Sequence, residues 1–460
     1  MDSSFILKGD LCYSVSREEI RTIHQGYLAC QDGICVGVYH ELPPKYQSFP
    51  LIDCGDSLVL PGLVDLHIHA PQYAFWGLGM DLELIEWLSQ HAYPEEAKYH
   101  DMEYARKAYS AFVERLRQGP NTRAVVFATR HVPATVLLMD MLEESGMATY
   151  VGKVNMDRNC DSILQEKDAA SSLADTQEWL RLALQEKQYR HTMPILTPRF
   201  IPSCSDELLS GLGSIRRQYV LPLQSHMSEN LSEVEWVKAL CPSAANYCEA
   251  YHAYGLLGRI GGTNDETRNG EAGGEGMRRS GGEPGAQARN AGAPSVMAHC
   301  VWMNDDEISL MREHRVFAAH CPQSNMNLAS GISPVRKLLN QGVQVGLGSD
   351  VAGGAHMSIF RAMSDAIQAS KLYWRLIDPT CKPLYLEEAF YLGTMGGGAF
   401  FGQAGTFLPG YAFDALVIDD SQNNTVSPLG LLQRLARLVY QPEHCKLERK
   451  YVNGKDILAR

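Results

Sequence analysis

Between about residue 60 and residue 350 the chain repeats one pattern eight times: a short β-branched or apolar run, then a longer amphipathic stretch. Repeated βα units of this kind close into a parallel barrel, because the strands bury both faces and the crossover helices cover the outer one. The runs predict strands over Leu63 to His69, Arg123 to Thr129, Thr149 to Asn155, Pro194 to Phe200, Leu221 to His226, Val296 to His299, Val316 to His320 and Val343 to Gly348. A chain of 460 residues holds such a barrel and one accessory layer. Short strands with turns, such as GYLACQDGICVGVYH near the start and FDALVID near the end, supply that layer. Residues 1–60 and 404–460 are therefore expected to form one composite β-sandwich beside an α/β, (β/α)8 TIM barrel at 61–403.

One segment departs from the pattern. From 261 to 294 the sequence is Gly-rich and polar, with Met277 as its only large apolar residue, so it cannot contribute a packed core and reads as a flexible insertion. It falls between the fifth and sixth strands, on the side where barrel active sites form, so the functional alternative is a lid that grips with Arg268, Arg278 and Arg279.

The ends of the strands carry the chemistry. His67 and His69 in PGLVDLHIH stand two apart on the first strand, so both imidazoles point to one face and can reach one metal ion. A metal site needs more ligands, and His226 ends the fifth strand while Asp350 ends the eighth. Three neutral nitrogens and one carboxylate suit zinc, or iron in a similar site, with one position open for water. PILTPRF, the fourth strand, has no lysine to bridge two metals, which favours a single ion.

Water activated by a metal still has a proton to lose. Glu229, three residues beyond His226, is placed to act as general acid and base, although its position also suits a carboxylate in the first turn of a helix. His299 closes the sixth strand and is assigned a supporting catalytic role, whereas His320 on the seventh is read as structural, with Asn325 holding the loop that follows. Arg199 and Phe200 offer a guanidinium for a carbonyl oxygen and an aromatic face for a planar ring. Gln72 adds an amide that can both donate and accept. A planar heterocycle with an exocyclic oxygen suits this set.

Other function classes fit poorly. The net charge is -12, from 53 acidic and 41 basic residues spread along the chain, so a nucleic-acid partner is not expected, and the PCxxC motif of nucleic-acid deaminases is absent. No apolar run reaches the ~20 residues of a membrane helix, and the start lacks the pattern of a signal peptide. Twelve cysteines are scattered without a CxxC pair. The expectation is a soluble, cytoplasmic protein with reduced thiols and no membrane partner.

PGLVDLHIHAPQ, GKVNMDRN, TPRF, QSHMSEN, MAHC, AHCPQSN and GLGSDVAGG together resemble the guanine deaminases of the amidohydrolase superfamily, over roughly residues 55 to 460. The resemblance implies an amidohydrolase-type barrel with one zinc ion on His67, His69, His226 and Asp350. It places guanine against Gln72, Arg199 and Phe200, and implies that Glu229, assisted by Asp350, moves protons while guanine becomes xanthine and ammonia. It also implies a homodimer. The alternatives are a deaminase of the same superfamily acting on cytosine, a triazine or a modified purine, and a barrel scaffold without chemistry. Two departures stand out. The second strand reads RQGPNTRAVVFAT, with Pro120, Asn121 and Arg123 where the family typically has a Gly-Thr-Thr-Thr run, and the Gly-rich insertion is longer than usual.

Overall fold

The structure, a computed structural model, describes residues 4–261, 292–423 and 427–459. Eight parallel strand positions follow the expected order: Leu63–His69, Asn121–Phe127, Ala148–Gly152 continued by Val154–Asn155, Thr192–Pro194 continued by Thr197–Pro198, Leu223–Met227, Ser295–His299, Phe317–His320 and Gln344–Leu347. They pair in two parallel sets of four. Backbone hydrogen bonds join the sets at both seams. Leu196 bridges Leu223, with Leu196 N donating to Pro222 O (3.0 Å) and Gln224 N to Leu196 O (2.9 Å). On the other side Asp350 N donates to His67 O (2.8 Å) and His69 N to Val351 O (3.2 Å). The ring closes, which leaves no free sheet edge.

Inside the ring Val64, Leu66, Val125, Ile195, Val296, Ala298, Phe317 and Ala319 pack with Phe400 in one buried cluster. The first strand slips register against the second between Asp65 and Ile68, where Leu66 and His67 stand opposite Val125 alone. Such a bulge changes which side chains face inward. Val64 and Leu66 therefore fill the lower layers while His67, in the bulge, and His69, after it, face inward at the carboxyl end.

Strands from both termini share one seven-stranded sheet in the order Lys455–Asp456, Lys446–Val452, Ala415–Asp419, Leu51–Pro61, Phe5–Ser14, Ile20–Gln31, Ile34–Tyr39. Its core includes Leu7, Leu11, Leu28, Val59, Phe407, Phe413 and Tyr451. Only Gly62 separates this sheet from the first barrel strand, and a Cβ there would lie 2.1 Å from Thr122 Oγ1, so the close approach of the two strands requires glycine. The atypical second strand is accommodated at this junction. Arg123 donates from Nε to Asp414 Oδ2 (2.6 Å) and from Nη2 to Asp414 Oδ1 (3.2 Å) and Asn453 Oδ1 (2.8 Å), tying barrel to sheet.

The insertion expected at 261–294, with Arg268, Met277, Arg278 and Arg279, lies outside the described residues from 262 to 291. Its base is closed by an antiparallel bridge between Ile260 and Ala293.

Candidate active site

His67, His69, His226 and Asp350 are brought together at the carboxyl end of the barrel, all buried. His69 Nε2 lies 3.3 Å from His67 Nε2 and 3.1 Å from His226 Nε2, and Asp350 Oδ1 lies 3.2 Å from His67 Nε2 and 3.6 Å from His69 Nε2. His226 Nδ1 donates to the carbonyl of Arg199 (2.6 Å), which fixes the tautomer and leaves the Nε2 lone pair facing the other rings. Burial, reinforced by His67, holds His69 and His226 well below the usual imidazole range, so both stay neutral. Burial alone would raise Asp350, but the adjacent His67, with His299 and His69, holds it well below the usual carboxylate range. Neutral nitrogens and an ionised carboxylate converging in a buried site form a donor set that suits a divalent cation, and His299 and Cys321 also belong to the metal-capable groups there.

The neighbours stiffen the set. Asp65 Oδ1 accepts from His67 N (3.2 Å) and Ser349 N (3.0 Å), and its Oδ2 from Ser349 Oγ (2.5 Å) and Asn121 Nδ2 (3.4 Å), pinning first strand to eighth at the level of the ligands. Phe127 packs its ring 4.5 Å from that of His69 and 5.0 Å from that of His67. Asp350 and His299 adopt left-handed backbone angles (φ 46° and 73°), conformations that cost non-glycine residues of order 1–3 kcal/mol and recur at functional sites.

Glu229 precedes the helix Leu231–Leu240, which is opened by Asn230 in a capping box with Glu233. It is not a first-turn carboxylate. Glu233 Oε2 accepts from Glu229 N (2.8 Å), and Tyr247 donates to Glu233 Oε1 (2.7 Å), so the loop is held from behind while the Glu229 side chain enters the site. There Glu229 Oε2 lies 3.3 Å from His299 Nε2, and Oε1 accepts from Ser330 Oγ (3.3 Å). Burial, followed by the carboxylates of Asp350 and Glu233, raises the Glu229 carboxyl well above its usual range. His299 Nδ1 is held by Asn325 Oδ1 (2.9 Å), and its Nε2 lies 3.8 Å from Asp350 Oδ2. His320 belongs to none of the metal-capable groups, and burial lowers it to about 4.

Facing this cluster is a cavity. Gln72, Arg199, Glu229, His299 and Asp350 supply its polar wall, and Leu84, Trp87, Leu88, Phe200 and Leu328 its apolar one. The motifs did not indicate Glu96. It is buried and accepts from Arg199 Nη1 (2.6 Å), Arg199 Nη2 (3.0 Å) and Gln72 Nε2 (2.9 Å). In sequence it is one half of an acidic pair in YPEEA, indistinguishable from a solvated helix face; its neighbour Glu95 pairs with Lys98 (2.6 Å).

The amidohydrolase family model matches residues 58–457. The chain belongs to the amidohydrolase family. This amidohydrolase is 34% identical over 416 residues to a guanine deaminase of Dictyostelium discoideum, covering 88% of this chain and 84% of that one. It is 36% identical over 410 residues to a probable guanine deaminase of Schizosaccharomyces pombe, covering 87% and 71%. A crystal structure of guanine deaminase from C. acetobutylicum with guanine bound in the active site superposes with a TM-score of 0.87 at 39% identity, covering 98% of this chain and 99% of that one. Members of the family are metal-dependent hydrolases, as the cluster of histidines and Asp350 requires.

Proposed function

We propose that this amidohydrolase converts guanine and water to xanthine and ammonia. One observation carries the reading: the metal-ligand cluster and the Glu229 carboxyl line one side of a cavity whose other wall presents Gln72, Arg199 and Phe200. A single zinc ion on His67, His69, His226 and Asp350, or iron in the same place, supplies Lewis-acid activation of a water molecule at neutral pH.

The remaining work falls to side chains. Phe200 covers a face of the ring and Arg199 and Gln72 donate to its acceptors, leaving the carbon that bears the amino group toward the ligand cluster. Glu229, buried but 3.3 Å from His299, takes a proton as the water oxygen bonds to that carbon and delivers it to the adjacent ring nitrogen. His299 and Asp350, whose Nε2 and Oδ2 lie 3.8 Å apart, assist in holding the water. The remaining hydroxyl proton then passes to the amino nitrogen with Asp350 assisting, the carbon–nitrogen bond breaks, and ammonia leaves while the added oxygen stays as the new carbonyl. The apolar wall of Leu84, Trp87, Leu88 and Leu328 keeps bulk water away from these transfers.

The same proposal includes a homodimer in the cytoplasm with guanine as its small-molecule partner, and takes residues 1–60 and 404–460 as a unit bracing the barrel at 61–403. Among the described residues no helix is long and apolar enough to cross a membrane.

Turnover by zinc-replete protein, followed as xanthine and ammonia, tests the reading. Glu229→Gln should keep the metal and lose about 10³-fold in kcat, within the range for removing a general acid or base. Absence of guanine turnover at one metal per chain would sink the substrate and leave the family standing.

A further inference from the structure

Glu96 takes no part in the chemistry just described, yet among the described residues it is the one carboxylate hydrogen-bonded to both Gln72 and Arg199. It lies on the short helix Tyr93–Ala97, whose Tyr93 ring sits 5.0 Å from the Arg199 guanidinium. Its oxygens can only accept, and they take one N–H of Gln72 and one from each terminal nitrogen of Arg199. On the far side of the amide, Gln72 Oε1 accepts from the backbone N–H of Ala352 (3.2 Å). The amide is therefore locked. Turning it over would set its oxygen against the Glu96 carboxylate and its amino group against a backbone N–H, two repulsive contacts in a buried site.

Locked this way, Gln72 has one N–H left to offer the cavity, and Arg199 has only donors. We infer that Glu96 is the residue that sets substrate specificity, by fixing Gln72 and Arg199 as an all-donor edge that accepts a ring carbonyl oxygen and rejects an amino group at the same place. Glu96 touches no substrate atom and is a positioning residue. Its role rests on the proposal that the substrate is guanine, and sharpens it. The partner purine that must be excluded is the one with an amino group in place of the oxygen, because its N–H groups would meet donors with no acceptor to relieve them.

The test compares kcat/KM for guanine and for 2,6-diaminopurine, both of which carry the amino group to be hydrolysed, in zinc-loaded wild type, Glu96→Gln and Glu96→Asp. Wild type should prefer guanine by about 10⁴-fold, the discrimination a hydrogen-bonding site achieves. In Glu96→Gln the Gln72 amide can turn, so guanine should lose about 10²-fold, chiefly through KM, while diaminopurine holds or gains and the preference collapses. Glu96→Asp keeps the charge against Arg199 but cannot span both partners, and should fall between the two. If Glu96→Gln does not fold, Glu96→Asp carries the test together with Gln72→Met, which leaves the Glu96–Arg199 pair intact and should also erode the preference. Rates for both purines that fall together with the preference unchanged would overturn the inference and make Glu96 structural. A wild type that turns over guanine without preferring it overturns the inference alone. A wild type inactive on guanine overturns the substrate reading and the inference with it.

Discussion

Two arginines are buried against carboxylates at opposite ends of this barrel, and they are put to different uses. Arg123, near the start of the second strand, meets Asp414 through Nε and Nη2. Asp414 is saturated: Oδ1 also accepts from Asn453 N (2.9 Å), and Oδ2 from Thr122 Oγ1 (3.3 Å). Arg199, past the end of the fourth strand, meets Glu96 through its two terminal nitrogens, which turns the rest of its donors away from the pair. The first arrangement closes a junction between barrel and terminal sheet. The second keeps hydrogen-bonding capacity facing a cavity. Geometry within the pair, rather than burial or charge, separates a contact that closes on itself from one that leaves donors toward the cavity.

Lys450 extends the contrast at the closed end. Fully buried, its ammonium donates to the carbonyls of Leu116 (3.1 Å), Arg117 (3.1 Å) and Gly119 (3.0 Å), at the end of the helix Met102–Gln118 where unpaired carbonyls collect. That end spends its polar groups on one another; the open end leaves them available.

The largest effect that tests this contrast is on stability. Asp414→Asn leaves the Arg123 charge buried without its counter-ion, so chemical denaturation should show a loss of about 3–5 kcal/mol, while kcat/KM of the protein that remains folded is unchanged. Lost catalysis at unchanged stability would reverse the roles assigned to the two ends. Next comes Arg199→Lys, which keeps the charge but not the fork. It should cost about 10²-fold in kcat/KM for guanine, with a smaller shift of the denaturation midpoint than Asp414→Asn produces.

The smallest effect is one of pH, and it locates acid sensitivity at the open end. Burial lowers His320, which ends the seventh strand, from 6.5 to about 4. Between those values the unfolded chain binds the proton and the folded one does not, so the contribution is complete above about 6.5 and is lost as the pH falls toward 4. His320→Gln should flatten the decline of Tm between pH 7 and pH 5. Parallel Tm curves for variant and wild type would place the acid sensitivity elsewhere.

Much of this was legible beforehand because it is local or repeated. The first strand runs over Leu63–His69 as the apolar run indicated, and the four expected ligands could be picked out because they stand at or just past the ends of the first, fifth and eighth runs. Strands three and four are each interrupted, and the fourth carries prolines at 194 and 198, which cannot donate to a ladder. The bulge that turns His67 and His69 inward left no mark in the sequence, since it is a matter of register against a neighbouring strand. Asn325, expected to hold a loop, also holds the ring of His299.

By itself, then, the sequence determined the barrel and which side chains stand at its carboxyl end, because alternation and strand-end placement repeat at short range and report which way a side chain points. Only the tertiary structure decided what Glu96 and Arg123 do. Glu96 lies 24 residues from Gln72 and 103 from Arg199, and Arg123 lies 291 from Asp414. No local preference distinguishes a buried carboxylate from a solvated one; that is settled when closing the barrel removes water from one and supplies it with donors.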